Sequence, residues 1–264
     1  MTRLAAEEVK ACCAASYGGE IATYLLGESF HPGGERLTRG LMAHLALRHD
    51  AVLVDVASGR GTSAMLAATE TGCRVVGIDL SGDNVAHASA AARAGGLDRR
   101  VRFVCADAER LPLDDGEADA ILCECALCLF PDKPRAVAEL ARVLRPGGCL
   151  ALSDVVTEPA RLSVAFGGLA GWASCVADAR PVDQVRALLT DAGFEVTHTD
   201  RHDDAIAQLI DRVEARLRLA RSVASTVPQI AAMAPRGLEL VAAARAALAD
   251  GALGYATIVA RLPA

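Results

Sequence analysis

The chain has 264 residues, is 52% apolar and only 3% aromatic, and carries a net charge of −6. This length suits one large α/β domain, or one domain with an added lobe, and the acidic balance gives a nucleic-acid partner no electrostatic support. No apolar run is long enough for a bilayer span. Nine scattered cysteines without a signal-type leader predict reduced thiols in a cytoplasmic protein rather than a disulfide framework.

Residues 1–50 read as a helical lid. Leu4 to Cys13 predicts a helix with Glu7 and Glu8 near its start, Tyr17-Gly18-Gly19 breaks it, and Ile21 to Leu26 has helical or turn character. Phe30-His31-Pro32-Gly33-Gly34 is a loop, because the residue before proline avoids the helical region and the paired glycines free the backbone. From about Glu35 to Leu47 a helix places Leu37, Leu41 and Leu45 on one face.

Val52 to Val56 then reads as a buried strand, Ala57-Ser58-Gly59-Arg60-Gly61-Thr62 as a glycine turn, and Ser63 to Ala68 as the apolar start of a helix. Small residues at 57, 59 and 61 let a backbone touch a ligand that a Cβ holds away, and the helix N-terminus offers free N–H donors. Four more strands are expected, Arg74–Asp79, Val101–Cys105, Ala118–Cys123 and Cys149–Asp154, each preceded by a helix. Among those helices are Asn84–Ala94 and Lys133–Leu144, the second closed by Arg145-Pro146-Gly147-Gly148. A small-residue stretch, Phe166 to Ala179, holds Trp172 and Cys175. It is followed by a helix over Val182–Ala192 and a sixth strand from Phe194. Helices at Asp203–Leu219 and Leu238–Leu248 precede a last strand at Gly254–Arg261.

The alternation predicts a Rossmann-like, doubly wound α/β fold with a mostly parallel seven-stranded sheet. Its parts are the lid (1–50), a cofactor core (51–200), and a helical insertion with the final strand (201–264) completing the same domain.

Gly59-Arg60-Gly61-Thr62-Ser63-Ala64 satisfies the dinucleotide fingerprint, which alone is a weak signal. Asp55, inside the first strand just before the turn, is unwelcome to a pyrophosphate but suits an ammonium group. Asp79 ends the second strand, where a carboxylate binds ribose hydroxyls, and Asp107-Ala108 follows the third. With these residues assembled, Val52 to Asp154 resembles the class I S-adenosylmethionine-dependent methyltransferases. The resemblance implies S-adenosylmethionine as cofactor, with Asp55, Gly59 and Gly61 at its methionine end, Asp79 at the ribose, and Asp107 with Ala108 at the adenine. Ala57 stands where the family often has glycine, and Leu80 and Cys123 complete the expected contacts. The bland alternative is a tight strand–helix turn with ordinary solvated acids at the strand ends.

Methyl transfer to oxygen or nitrogen usually needs a general base, whereas a soft acceptor with a free lone pair needs none. Cys123-Glu124-Cys125-Ala126-Leu127-Cys128 ends the fourth strand, and thiolates are soft ligands. The run from Cys125 through Pro131-Asp132-Lys133 resembles the corresponding segment of arsenite methyltransferases. That resemblance puts Cys125 and Cys175 at arsenic-ligand positions and in the catalytic role, with Cys128 and the Cys12-Cys13 pair as further ligand candidates. Expected partners are therefore a metalloid or small-molecule acceptor and a thiol reductant. A small-molecule C-, O- or N-methyltransferase is the second reading, and a thiol-based metal or metalloid sensor on the same scaffold the third.

Buried cysteine is also a common core residue, the expected role of Cys73, Cys105 and Cys149. His31 is expected to bond locally, Tyr17 and Tyr24 to close over the methionine moiety or simply pack, and Trp172 to line the acceptor pocket or fill a gap. His202, Asp203 and Asp204 mark a helix start. Arg99, Arg100, Arg216, Arg218 and Arg221 read as exposed.

Overall fold

The computed structural model describes residues 5–223 and 227–264; Leu4, the expected start of the first helix, lies outside them. The lid is three helices, α1 (Ala6–Gly18), α2 (Glu20–Leu26) and α3 (Gly34–His44). Then come β1 (Val52–Val56), α4 (Thr62–Thr71), β2 (Arg74–Asp79), α5 (Gly82–Ala94), β3 (Val101–Cys105) and β4 (Ala118–Glu124). The chain continues through α6 (Lys133–Val143), β5 (Leu144–Thr157), α7 (Gly168–Ala173), α8 (Val182–Asp191) and β6 (Glu195–Arg201). It closes with α9 (Asp203–Ser222), α10 (Pro228–Ala249) and β7 (Leu253–Arg261).

The sheet order is β3-β2-β1-β4-β5-β7-β6, with β7 antiparallel to both neighbours. Chain direction across the sheet reverses between β1 and β4, and a ligand crevice opens beyond the strand ends at such a switch point. The alanines of α4 let that helix lie close on the sheet: Ala64, Ala67 and Ala68 are buried with Leu53, Val75 and Leu122. On the opposite face α6 and α8 seat Val137, Leu140, Val185 and Leu189 against Val54, Val56 and Ile121. Ile206, Leu217, Val241 and Tyr255 join α9, α10 and β7 in a third apolar cluster, which also contains Cys128 and Cys175. No helix among the described residues is long and apolar enough to cross a membrane.

Several boundaries differ from expectation for identifiable reasons. Helix α1 continues through Tyr17 and Gly18 and breaks only at Gly19, because Gly18 packs against Ser81, where a Cβ would lie 2.4 Å from the Ser81 hydroxyl. No helix joins β3 to β4; the Asp107–Arg110 bridge and short turns make that crossing. Strand β5 begins at Leu144, since Leu144 pairs with Ala118 and the Pro-Gly-Gly run is taken up into its irregular start. Helix α10 is twice the expected length and runs through Pro235, held by its packing on α9. Cys105 is exposed on the edge strand rather than in the core, whereas Cys73 and Cys149 are buried as expected. Arg100 and Arg216 are half-buried rather than free, donating to the carbonyls of Gly72 and Tyr24.

Candidate active site

A cleft lies beyond the ends of β1, β2 and β4, bordered on one side by Lys10, Cys13 and Tyr17 of α1. Asp55, Ala57, Gly59, Asp79, Leu80, Asp107 and Ala108 all line it. Gly61 and Cys123 do not. Gly61, with φ +80, caps α4 facing the sheet, and a Cβ there would sit 2.4 Å from the Phe103 ring and 3.0 Å from Ala88. Its glycine serves helix–sheet packing, not a ligand. Cys123 is wholly buried in the core among apolar neighbours, and burial pushes its thiol well above the ordinary range. Gly61→Ala is expected to destabilise the fold by about 2–3 kcal/mol, from left-handed strain plus overpacking; chemical denaturation measures it.

Ala57 holds φ +59, so the turn keeps the left-handed geometry that glycine adopts freely, at a cost of roughly 1–2 kcal/mol. Gly59 donates its N–H to Asp79 Oδ2 at 2.8 Å, and Ser81 N–H (2.8 Å) and Asn84 Nδ2 (3.2 Å) donate to Asp79 Oδ1. Asp79 is thereby fixed with lone pairs to spare, although burial raises its pKa. Asp55 is 2% exposed, and its Oδ2 has no hydrogen-bond partner. Burial first, then the charges of Glu124 and Asp79, push its pKa well above the usual carboxylate range. An orphaned buried carboxylate oxygen lining the cleft calls for a cationic donor.

In the loop after β3, Asp107 Oδ1 accepts the Glu109 N–H (2.9 Å) and Oδ2 accepts Lys10 Nζ (2.8 Å). Lys10 also pairs with Glu109, so α1 is latched across this end of the cleft. Nothing in the alanine-rich sequence of α1 distinguishes Lys10 from a solvated lysine. Glu124 stands between two of the cysteines singled out from the sequence, yet its own role emerges only in the fold. It is 8% exposed and accepts from Ser63 Oγ (2.5 Å) and Thr38 Oγ1 (3.0 Å), with His31 Nε2 3.5 Å away. His31, bonded to Ser29 at 2.8 Å, is a buried wall of the cleft.

Beyond Glu124 the chain turns sharply, with Cys125 at φ +53 and its N–H given to the Ser153 carbonyl at 2.7 Å. Cys128 follows in a 3-10 turn, its N–H donated to Asp154 Oδ2 at 2.7 Å. Cys175, after α7, is also left-handed at φ +62. Two non-glycine residues held there mark over-determined backbone of the kind that gathers at functional sites. Cys175 Sγ lies 2.9 Å from Tyr17 Oη and 4.0 Å from the Cys125 carbonyl, and Cys125 packs against the apolar cluster that contains Cys128 and Cys175. Donation from Cys125, then Cys128 and Tyr17, holds Cys175 well below the usual thiol range against the effect of burial. Burial, then the neighbouring Cys125 and Cys175, push Cys128 up. Cys125 rises too, because its bond with Cys175 and burial outweigh the lowering by Cys128. Burial pushes the buried Asp154 carboxyl up to about 7.

Cys13 lines the cleft from α1, close enough to feel the charge of Cys175, and burial pushes it to about 12. Cys12 is a correction: it lies on the outer side of α1 beside Ser16, away from the cluster. Among the described residues no group of three or more His, Cys, Asp or Glu is laid out to hold a metal ion. Tyr24 bonds the Arg216 carbonyl and lies off the cleft, and Trp172 packs 5.5 Å from Lys133 instead of lining it.

The reversed sheet order, glycine turn and three strand-end carboxylates define a nucleoside-cofactor-binding α/β protein. A methyltransferase-domain family profile matches residues 54–152. The 27-O-demethylrifamycin SV methyltransferase of Amycolatopsis mediterranei is 33% identical over 190 residues, covering 67% of this chain and 70% of its own. Methyltransferase GfsG of Streptomyces halstedii is 34% identical over 62% of this chain and 59% of its own. The arsenite methyltransferase of Halobacterium salinarum is 31% identical over 64% of this chain and 44% of its own. These last two matches thus span about half the length of those relatives. Among solved structures, the [4+2]-cyclase SpnF superposes with a TM-score of 0.77 at 24% identity, covering 100% of this chain and 98% of its own. Phosphoethanolamine N-methyltransferase 2 of Haemonchus contortus with S-adenosyl-L-methionine gives 0.77 at 18% identity, covering 93% of this chain and 56% of its own. The chain belongs to the class I S-adenosylmethionine-dependent methyltransferases. The cleft suits that family's cofactor in the chemistry of its lining, which carries the unpartnered Asp55 Oδ2, the anchored Asp79 carboxylate and the Asp107–Ala108 corner.

Proposed function

We propose that this chain transfers methyl groups to trivalent arsenic, as arsenite or its thiol complex, held by Cys125, Cys128 and Cys175. The observation that carries this reading is that the Cys125–Cys128 turn and Cys175 pack in one cluster beside the cleft at the end of β4, with Cys175 Sγ 4.0 Å from the Cys125 carbonyl and 2.9 Å from Tyr17 Oη. The cofactor, when bound, supplies an electrophilic methyl group on a sulfonium. Asp55 and Asp79 anchor the donor, and Glu124 with Ser63 and Thr38 forms a buried polar wall. Arsenite is As(OH)₃, and each thiol that binds it replaces one hydroxide, which leaves as water with the thiol proton. Cys175, as the thiolate, needs one proton from solvent. Trivalent arsenic keeps a lone pair after three As–S bonds form, so no residue has to act as base. Cys13 and Cys125 line the cleft, whereas Cys128 and Cys175 lie behind them, so loading proceeds from the lid side inward with rotation of the thiols.

Equilibrium binding tests the ligand assignment. Arsenite is expected to remove three titratable thiols per chain and to leave Cys12 and Cys105 reactive. Protection of none, or equal protection in the Cys125→Ser variant, would count against it.

A second reading, methylation of a hydroxyl on a small molecule, rests on the His31–Glu124 contact in the cleft. There His31 would act as the general base and Glu124 as its orienting partner. The rifamycin methyltransferase among the relatives accords with it. His31→Gln would then abolish turnover of a hydroxyl substrate, an effect the arsenic reading does not require.

A further inference from the structure

Lys133 opens α6, yet it is 4% exposed, and its ammonium is fully engaged. It donates to the Cys128 carbonyl (3.2 Å), the Phe130 carbonyl (3.0 Å) and Asp178 Oδ2 (2.6 Å), and lies 5.5 Å from the centre of the Trp172 ring. Asp178 is oriented in turn, because Arg180 donates to its other oxygen at 2.7 Å. The two ends of this ion pair belong to the two chain segments that supply the thiols. One is the turn carrying Cys125 and Cys128; the other is the stretch from Trp172 to Arg180 carrying Cys175. The second segment is otherwise tied to the sheet through Thr157, whose hydroxyl donates to the Ala179 carbonyl at 2.8 Å and whose N–H donates to the Arg180 carbonyl at 3.2 Å.

A lysine is rarely buried this deeply unless paired. Burying a charge pair is weak as a source of stability, so the pair's value lies in fixing geometry. Left-handed Cys125 and Cys175 need surroundings that over-determine them, and the Lys133 contacts supply such a constraint across both segments.

We propose that buried Lys133 and half-buried Asp178 form a strut that sets the spacing between Cys128 and Cys175, making them the positioning pair of the acceptor site. The proposal rests on the thiol-acceptor reading for its meaning in catalysis, but the spacing itself is measurable without arsenic. Two readouts separate the cases. The first is disulfide formation with diamide, which takes two electrons and two protons from a thiol pair, mapped by mass spectrometry. The second is arsenite affinity, followed by its thiolate absorption and set beside cofactor affinity by calorimetry.

Lys133→Met alone leaves half-buried Asp178 with Arg180 as its remaining ion partner, so the Lys133→Met/Asp178→Leu double variant removes the pair cleanly and serves as the comparison. In the wild type a disulfide linking Cys175 to Cys128 or Cys125 is expected to form first. In the double variant that crosslink slows at least tenfold and the arsenite Kd rises at least tenfold, while the cofactor Kd stays within twofold. Lys133→Arg, which keeps the cation, restores crosslinking to within about threefold of wild type. The strut is overturned if the double variant crosslinks at the wild-type rate, if wild type never crosslinks Cys175, or if cofactor affinity falls in parallel. A wild type that crosslinks but does not bind arsenite refutes the arsenic reading and leaves the strut standing.

Discussion

Replacing Cys175 by serine is expected to cut methylation of arsenite at least about 100-fold and to leave cofactor affinity unchanged. Serine nearly matches cysteine in size, so packing against Val176, Phe166 and the α9–α10 pair survives. What is lost is the soft ligand and the thiolate that Tyr17, Cys125 and Cys128 stabilise. A 100-fold loss corresponds to about 2.7 kcal/mol, modest for one of three ligands because the remaining two still chelate. The cleft residues proposed to hold the cofactor lie on β1, β2 and the loop after β3, and Cys175 does not line the cleft. Initial rates and calorimetric titration on the same preparation check both halves. An unchanged rate would return Cys175 to the packing role that buried cysteines usually have.

Asp79→Ala is expected to weaken S-adenosylmethionine binding about 100-fold with little change in apo stability. The carboxylate organises Gly59, Ser81 and Asn84, and its loss leaves buried N–H groups unpaired at roughly 1–3 kcal/mol each. Burial nevertheless raises the pKa of Asp79, which means that burying its charge costs the free protein stability. The two effects offset in the apo protein, whose thermal midpoint moves by only a few degrees. Nothing offsets the lost ribose contact and the loosened turn in the bound state. Calorimetry and thermal melts with and without cofactor separate the two; an unaltered Kd would place the ribose elsewhere.

Much of the cofactor half could be read from the chain alone, because it depends on local patterns. Alternating apolar strands ending in Asp55, Asp79 and the Asp107 loop fix a crevice once the sheet is parallel. Gly61 shows where such reading fails: a glycine at a strand–helix turn looks the same whether it faces a ligand or the Phe103 ring. Cys123 fails similarly, since its position at a strand end gives no clue to which neighbours cover it. The proposed pairing of Cys125 with Cys175 can be read from the sequence, and the fold places the two near each other, but the residues around them cannot be read in advance. Lys10, Lys133 and Asp178 are charged residues on helices or loops, where solvated faces are the rule. Only long-range contacts across 97 and 45 residues give Lys10 and Lys133 their carboxylate partners. Cys12 and Cys13 are adjacent on α1 and so cannot share a face, a point that helical geometry decides once the helix is known to reach Gly18.

The most direct measurement follows the methyl group itself. The chain is incubated with methyl-labelled S-adenosylmethionine, glutathione and arsenite, and the arsenic species are separated and counted. Label is expected in methylated arsenic, at a rate that collapses in the Cys125→Ser and Cys175→Ser variants and persists in His31→Gln. Label that never reaches arsenic in the wild type, while a hydroxylated small molecule takes it up in a His31-dependent way, would contradict the account.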